Sequence, residues 1–146
     1  MIDENFVVFG VNGSTQKDVI ESLVQQAASQ GRVTSVSEVV QSVLAREAEG
    51  TTGFGKGIAI PHGKCNAVKE PTLLFGKLTT PVEWLAMDGE PVHAVFMILV
   101  PEQSHNDHLK ILAQLARKLM HDDFVESLMA ISTKPDMVHF LTEQLA

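Results

Sequence analysis

The chain is predicted to be an α/β protein, with one sheet covered by helices on both faces, and three observations lead to that class. Two capped amphipathic helices occupy the first third of the chain, three short apolar strands follow, and helical periodicity then returns and runs to the end. Helices on both sides of a block of strands supply a cover for each face of the sheet.

Phe6 to Val11 reads as a first strand. Asn12-Gly13-Ser14 then marks a turn; it fits a glycosylation pattern, but outside a secretory route that pattern carries no more than the turn. Thr15 and Asp18 cap a helix whose inner face is Val19, Ile20, Leu23, Val24, Ala27 and Ala28, and Gly31 ends it. Ser35 and Glu38 open a second helix with Val36, Val39, Val40, Val43 and Leu44 on its apolar face and Gly50 as its stop. Near its end, Arg46 lies on the flank of that face, where it complements the helix dipole. Glu47 lies nearer the centre of the stripe, an unfavourable place for a charge unless something pairs with it.

Gly50 to Lys56 matches a phosphate-loop pattern up to its last position, which is Gly57 instead of serine or threonine. The segment also follows a helix and opens a strand, the reverse of what a nucleotide loop needs. A tight turn that places the next strand beside Arg46, with N–H groups for a phosphoryl oxygen, is the expectation. Ile58-Ala59-Ile60 is strand core, and Pro61, with no N–H to give, is expected to end the ladder. His62 then stands at a strand end, and Gly63 is expected to leave its imidazole uncrowded. Thr72 to Leu78 and Val92 to Val100 are buried strands that should form the sheet centre with the His62 strand.

Ser104 and Asp107 look like a helix cap, followed by Leu112, Leu115, Ala116 and Leu119 at helical spacing with Ile111 at the edge. His108 falls at the middle of this stripe in the first turn and should point inward. The N–H groups there attract an anion and disfavour an imidazolium. Asp122 to Ala130 and Lys134 to Leu145 read as two closing helices. His93, within an apolar run, reads as structural, and His121 and His139 sit in the late helices. Trp84 with Leu85 and Met87 reads as a loop anchor, and Asp88-Gly89 as a turn.

Arg46-Glu47, Thr52-Gly53-Phe54-Gly55-Lys56-Gly57-Ile58-Ala59-Ile60-Pro61-His62-Gly63, Val100-Pro101-Glu102 and His108-Leu109 occur in that order. Together they resemble the enzyme IIA domain of the fructose and mannitol class of the bacterial phosphoenolpyruvate-dependent sugar phosphotransferase system. Several separated motifs in the right order are far more specific than any one. The resemblance runs nearly end to end and implies a mixed parallel and antiparallel sheet in a single domain, residues 1–146. It implies that His62 is phosphorylated, that His108 is a second active-site histidine, and that Arg46 lies near the phosphoryl group. The implied partners are a histidine phosphocarrier protein and the IIB component of a sugar permease. Pro81-Val82-Glu83-Trp84, Asp88 to Val92 and Ser104 to Lys110 look most like the fructose-type members. Lys56 and Cys65 stand at positions that vary in the family.

Composition is compatible with that class. A chain of 146 residues can bury roughly 68–70% of its unfolded surface in one domain. Apolar residues make up 45% of it, no run approaches the ~20 residues that span a bilayer, and Met1-Ile2-Asp3-Glu4 lacks the basic start of a signal peptide. A cytoplasmic protein with only indirect membrane association is expected, and one cysteine permits no intrachain disulfide. The net charge of −7, with no basic patch, argues against nucleic acid and for a basic or mixed protein partner.

A neutral imidazole is nucleophilic near pH 7, and the phosphoramidate it forms stays reactive enough to pass phosphate on, so neither metal nor cofactor is required. Arg46, an N–H of His108 and the helix end behind it are the expected donors to the phosphoryl oxygens in flight. Two alternatives remain. A regulatory phosphoprotein of the same fold, of the nitrogen type, would share the His62 chemistry and differ in partners. A metal-dependent hydrolase could draw on His62, Cys65, His105, Asp107 and His108, although their spacing matches no zinc or two-histidine, one-carboxylate pattern.

Overall fold

The first two helices begin where their caps are legible. In the computed structural model, which describes residues 2–104 and 107–145 and omits the side chains of Asp107 and His108, α1 spans Gln16–Ser29 and α2 spans Val36–Glu49. Thr15 and Asp18 form a full capping box, and the Ser35 hydroxyl accepts the Glu38 N–H. The buried faces are the expected ones, Val19, Ile20, Leu23, Val24 and Ala27 on α1 and Val39, Val40 and Val43 on α2.

Among the described residues, six strands form one sheet: β1 (Val7–Val11), β2 (Gly53–Gly55), β3 (Ile58–Ala59), β4 (His62–Lys64), β5 (Thr72–Val82) and β6 (Val92–Val100). The spatial order is β1-β5-β6-β3-β2, with β4 also against β6. β1 runs parallel to β5, β5 antiparallel to β6, β3 and β4 parallel to β6, and β2 antiparallel to β3, so the sheet is mixed. The strands expected at the centre are there. Phe6 is not in the first strand: it closes a short 3-10 turn, Glu4–Phe6, opened by the Asp3 carboxylate on the Asn5 N–H. β5 outruns its expected end at Leu78, because the exposed Thr79, Thr80 and Pro81 stay extended and, past a register shift, Val82 pairs with Val92.

Pro61 interrupts the ladder without ending it. A proline lacks a donor but keeps its acceptor, and the Pro61 carbonyl takes the Ile98 N–H at 3.1 Å. Parallel pairing resumes as His62 opposite Ile98, which makes His62 the first residue of a new strand instead of the end of an old one.

Alternation of side chains divides the sheet into two faces. Leu74, Val95, Met97 and Leu99 share the side on which Gly76 abuts Leu23 of α1 and Gly63 abuts Val43 of α2. Phe75, Phe96 and Ile98 form the other side, where the two rings meet edge to face at 5.1 Å and Lys77 reaches the Met129 carbonyl. That side carries α3 (Asp107–Leu119) and α4 (Asp122–Ala130), while α5 (Lys134–Gln144) packs beside β1. The closing helices match their expected bounds to within one residue. Ser104 gives its N–H to the Pro101 carbonyl in a turn, and the positions between it and Asp107, with the Asp107 side chain, lie outside the described residues.

Candidate functional site

His62 opens β4 with its ring on the α3 side of the sheet, the side opposite the neighbouring Gly63. Its Nδ1 lies 3.0 Å from the Ile60 carbonyl oxygen. A carbonyl can only accept, so the ring donates from Nδ1, and in the neutral imidazole the in-plane lone pair is then on Nε2. Ile60 is able to serve because Pro61, not Ile60, receives the N–H of Ile98. Gly63 has a different task from the one expected: a Cβ there would stand 2.9 Å from Val43 Cγ2 and 3.1 Å from Ser42 Oγ, so it lets β4 lie close on α2.

The ring lines a cavity of about 460 Å³ with Arg46, Thr52, Phe54, Met87, Leu109 and Leu112. Arg46 and His62 also share a second recess of about 470 Å³ with Ser42, Glu49 and Lys64. Arg46 is therefore brought to the histidine from the end of α2, as the sequence suggested. Its Nη1 gives one hydrogen bond to the Gly50 carbonyl at 2.8 Å, so it closes the helix C-terminus and faces the cavity at once. The backbone of His108 is in the first turn of α3, whose Leu109, Leu112 and Ala116 line the His62 cavity. Its side chain lies outside the described residues.

The glycine-rich stretch is a hairpin. β2 and β3 are joined at Lys56 and Gly57, with φ of 59° and 81°, the two positive values of a type I′ turn. Its tip is committed to other parts of the chain: the Lys56 N–H goes to Asp88 Oδ2 at 2.9 Å, and Lys56 Nζ bonds the Leu119 and Met120 carbonyls and pairs with Asp122 at 2.8 Å. The lysine thus ties the hairpin to the end of α3 and the start of α4. Its side chain holds the Asp122 carboxyl below its ordinary value, and the N–H groups of Lys56 and Glu90 do the same for Asp88.

The hairpin's base is fastened to α2. Glu47, the charge that the pattern placed near an apolar stripe, accepts the Thr52 N–H at 3.1 Å, the Thr52 hydroxyl, and the Trp84 indole N–H at 3.3 Å. Trp84 is the expected anchor, 2% exposed, with its carbonyl bonded by Thr51 Oγ1 at 2.9 Å. Leu85 and Met87 are not part of that anchor. They are 77% and 82% exposed, because the chain alternates and turns Trp84 and Ala86 inward. Gly53 permits this, since a Cβ there would meet Ala86 Cα at 2.8 Å. Leu109, 51% exposed, stands with Met87 on the rim of the cavity. Strand-like alternation from Trp84 to Met87 was the signal in the sequence that could have revealed this rim.

Among the described residues, no three His, Cys, Asp or Glu side chains gather as a metal group, and His105, with the side chains of Asp107 and His108, lies outside them. Cys65 is half-buried, with its Sγ 3.4 Å from the Ala67 N–H. His93 is exposed across from Gly57, His121 precedes α4, and His139 pairs with Glu143 at 3.2 Å on an exposed face. Among the described residues, no helix is long and apolar enough to cross a membrane.

Known proteins share both the sequence and the shape. Residues 1–144 match the family model described as "Phosphoenolpyruvate-dependent sugar phosphotransferase system, EIIA 2". The chain is 41% identical over 130 residues, 89% of its length and 84% of the relative's, to the "PTS system fructose-specific EIIA component" of Haloferax volcanii. It is also 41% identical over 112 residues, 75% of this chain and 73% of the relative, to a "Nitrogen regulatory protein" of Bradyrhizobium diazoefficiens. The crystal structure of nitrogen regulatory protein IIA-Ntr from Neisseria meningitidis superposes with a TM-score of 0.86 at 33% identity, covering 94% of each chain. The match over nearly the whole length, on a mixed sheet of the same architecture, places this chain in the EIIA type 2 family of the phosphoenolpyruvate-dependent sugar phosphotransferase system.

Proposed function

We propose that this protein is a phosphoryl carrier whose His62 Nε2 accepts a phosphoryl group from a phosphohistidine on a carrier protein and hands it to a IIB component. The observation that carries this reading is the Nδ1–H bond to the Ile60 carbonyl, which leaves Nε2 as the nucleophilic nitrogen of the neutral ring. In the first transfer the Nε2 lone pair attacks phosphorus while the donor's P–N bond breaks, and the donor imidazole leaves with that electron pair. The second transfer repeats the step with Nε2 as leaving group. Charge in flight sits on the equatorial oxygens, Arg46 supplies a fixed cation beside them, and the family resemblance adds His108 as a second donor.

A cavity of about 460 Å³ holds a phosphoryl group but not a protein, so both partners must sit on its rim. The exposed Met87 and Leu109 suit such docking. For the sugar we favour fructose or a related one, supported by the fructose-specific relative at 41% identity. The sugar is chosen downstream by the membrane component, so this chain need never touch it.

The test is incubation with phosphoenolpyruvate, enzyme I and the histidine phosphocarrier, followed by mass spectrometry. One acid-labile, base-stable phosphate is expected on the wild type and none on His62→Ala. Unchanged labelling of that variant would remove His62 from the reaction. Membranes carrying a fructose-type IIB and IIC pair should then form fructose phosphate. A phosphorylated protein that serves no sugar system would instead fit the regulatory reading, which the 41% identical nitrogen regulatory relative favours.

A further inference from the structure

Glu47 stands one residue past Arg46, yet the transfer chemistry makes no use of it. Its half-buried carboxylate takes three donors and fastens the hairpin base to α2. The bonds continue from it toward the nucleophile. Glu47 takes the N–H and hydroxyl of Thr52; the Thr52 carbonyl takes the Ile60 N–H at 2.9 Å; and the Ile60 carbonyl takes His62 Nδ1–H at 3.0 Å. Trp84 closes the assembly from outside, with its indole N–H 3.3 Å from both Glu47 Oε1 and Thr52 Oγ1.

We infer that Glu47 is a positioning residue for His62, fixing through Thr52 the Ile60 carbonyl that keeps the ring proton on Nδ1 and so selects Nε2 for phosphoryl transfer. The inference rests on the reading of His62 as the phosphoryl acceptor. Its physical core is that the Ile60 carbonyl, adjacent to the break at Pro61, lies where the ladder lapses, so its aim depends on what holds Ile60 from the other side. That hold is the Thr52 carbonyl, and Thr52 is held by Glu47. Metal-bound histidines are oriented by outer partners in the same manner, and losing such a partner costs roughly 10–100-fold.

Glu47→Gln keeps the shape but offers one acceptor where three donors converge, since its NH₂ cannot accept. Thr52→Val, which removes only the hydroxyl leg, is the second variant. In histidine-labelled protein, with His62→Ala to assign the signal, long-range ¹⁵N–¹H spectra read the tautomer with no phosphoryl donor present. The Nδ1–H form should dominate in the wild type and give way to a mixture in Glu47→Gln, with a smaller shift in Thr52→Val. Phosphoryl transfer should slow roughly 10–100-fold in Glu47→Gln. Trp84, the single tryptophan, reports by fluorescence that the cluster has changed. An unchanged tautomer in both variants overturns the proposal, as does a mixed tautomer with transfer at the wild-type rate. If the wild type takes up no phosphate on His62, the acceptor reading fails instead, and the tautomer result still decides whether Glu47 sets the ring.

Discussion

On one side of His62, α2, the chain from Thr51 to Gly53 and Trp84 present carboxylate, hydroxyl and indole groups that satisfy one another in a half-buried network. On the other, Met87 and Leu109 turn apolar side chains to water. Apart from the Arg46 cation, the first wall has little left to offer a newcomer and is suited to holding a ring still. The second has little to lose by being covered. A phosphoryl carrier of the kind proposed, meeting two proteins in turn, would benefit from both, because geometry at the phosphorus would stay fixed while binding energy came from a surface that tolerates more than one partner.

The largest effect is expected from the cation of the fixed wall. Arg46→Ala should slow phosphoryl transfer roughly 10²–10³-fold, the scale of losing one preorganised donor, and His108→Ala should act likewise if it faces the same phosphoryl group. Folding should survive, because Arg46 loses only its bond to the Gly50 carbonyl, worth about 0.5–1.5 kcal/mol. Rapid-quench transfer from the phosphorylated carrier, with circular dichroism as the folding control, is the measurement. Wild-type rates in folded Arg46→Ala would move the phosphoryl group away from this wall.

A smaller and different effect is expected from the open wall. Met87→Ser and Leu109→Ser should raise the KM for the carrier protein several-fold while leaving kcat and thermal stability nearly unchanged, since rim residues that are already exposed lose little on folding. A fall in kcat at constant KM would mean that these side chains shape the cavity instead of the docking surface.

The sequence announces some of these features better than others. Helix caps and apolar stripes are decided by residues three or four apart, so Thr15 with Asp18 and the flank position of Arg46 could be read directly. Glu47 was visible only as a misplaced charge. Its partners Thr52 and Trp84 are five and 37 positions away, and the second of these no local pattern can reach. Gly63 suggests room for the imidazole beside it, whereas the neighbour that forbids a side chain is Val43 on the opposite face of the sheet. Pro61 advertises the donor it lacks and not the acceptor it keeps, and that acceptor is what lets the strand resume at His62. In each case the element was set locally and the correction came from a contact distant in the chain.

The smallest expected effect concerns how the hairpin is pinned to α3, which carries the open wall. Lys56 bonds the Leu119 and Met120 carbonyls and pairs with Asp122, and that pair keeps the Asp122 carboxyl below its ordinary value. A carboxylate with a lowered folded-state pKa adds stability above its unfolded pKa, and that stability is lost as pH falls through the folded value. Lys56→Met should therefore lower the melting temperature slightly at neutral pH, and the gap from wild type should narrow in acid as Asp122 protonates in both. It should not close, because the bonds to the two carbonyls do not titrate in that range. Asp88 is held by the N–H of Lys56 and not by its side chain, so it should behave alike in both proteins. Melting curves at neutral pH and below the ordinary aspartate range decide the matter. A gap of the same size at both would assign the whole effect to the helix carbonyls and none to the ion pair, as expected if an exposed carboxylate is screened by solvent.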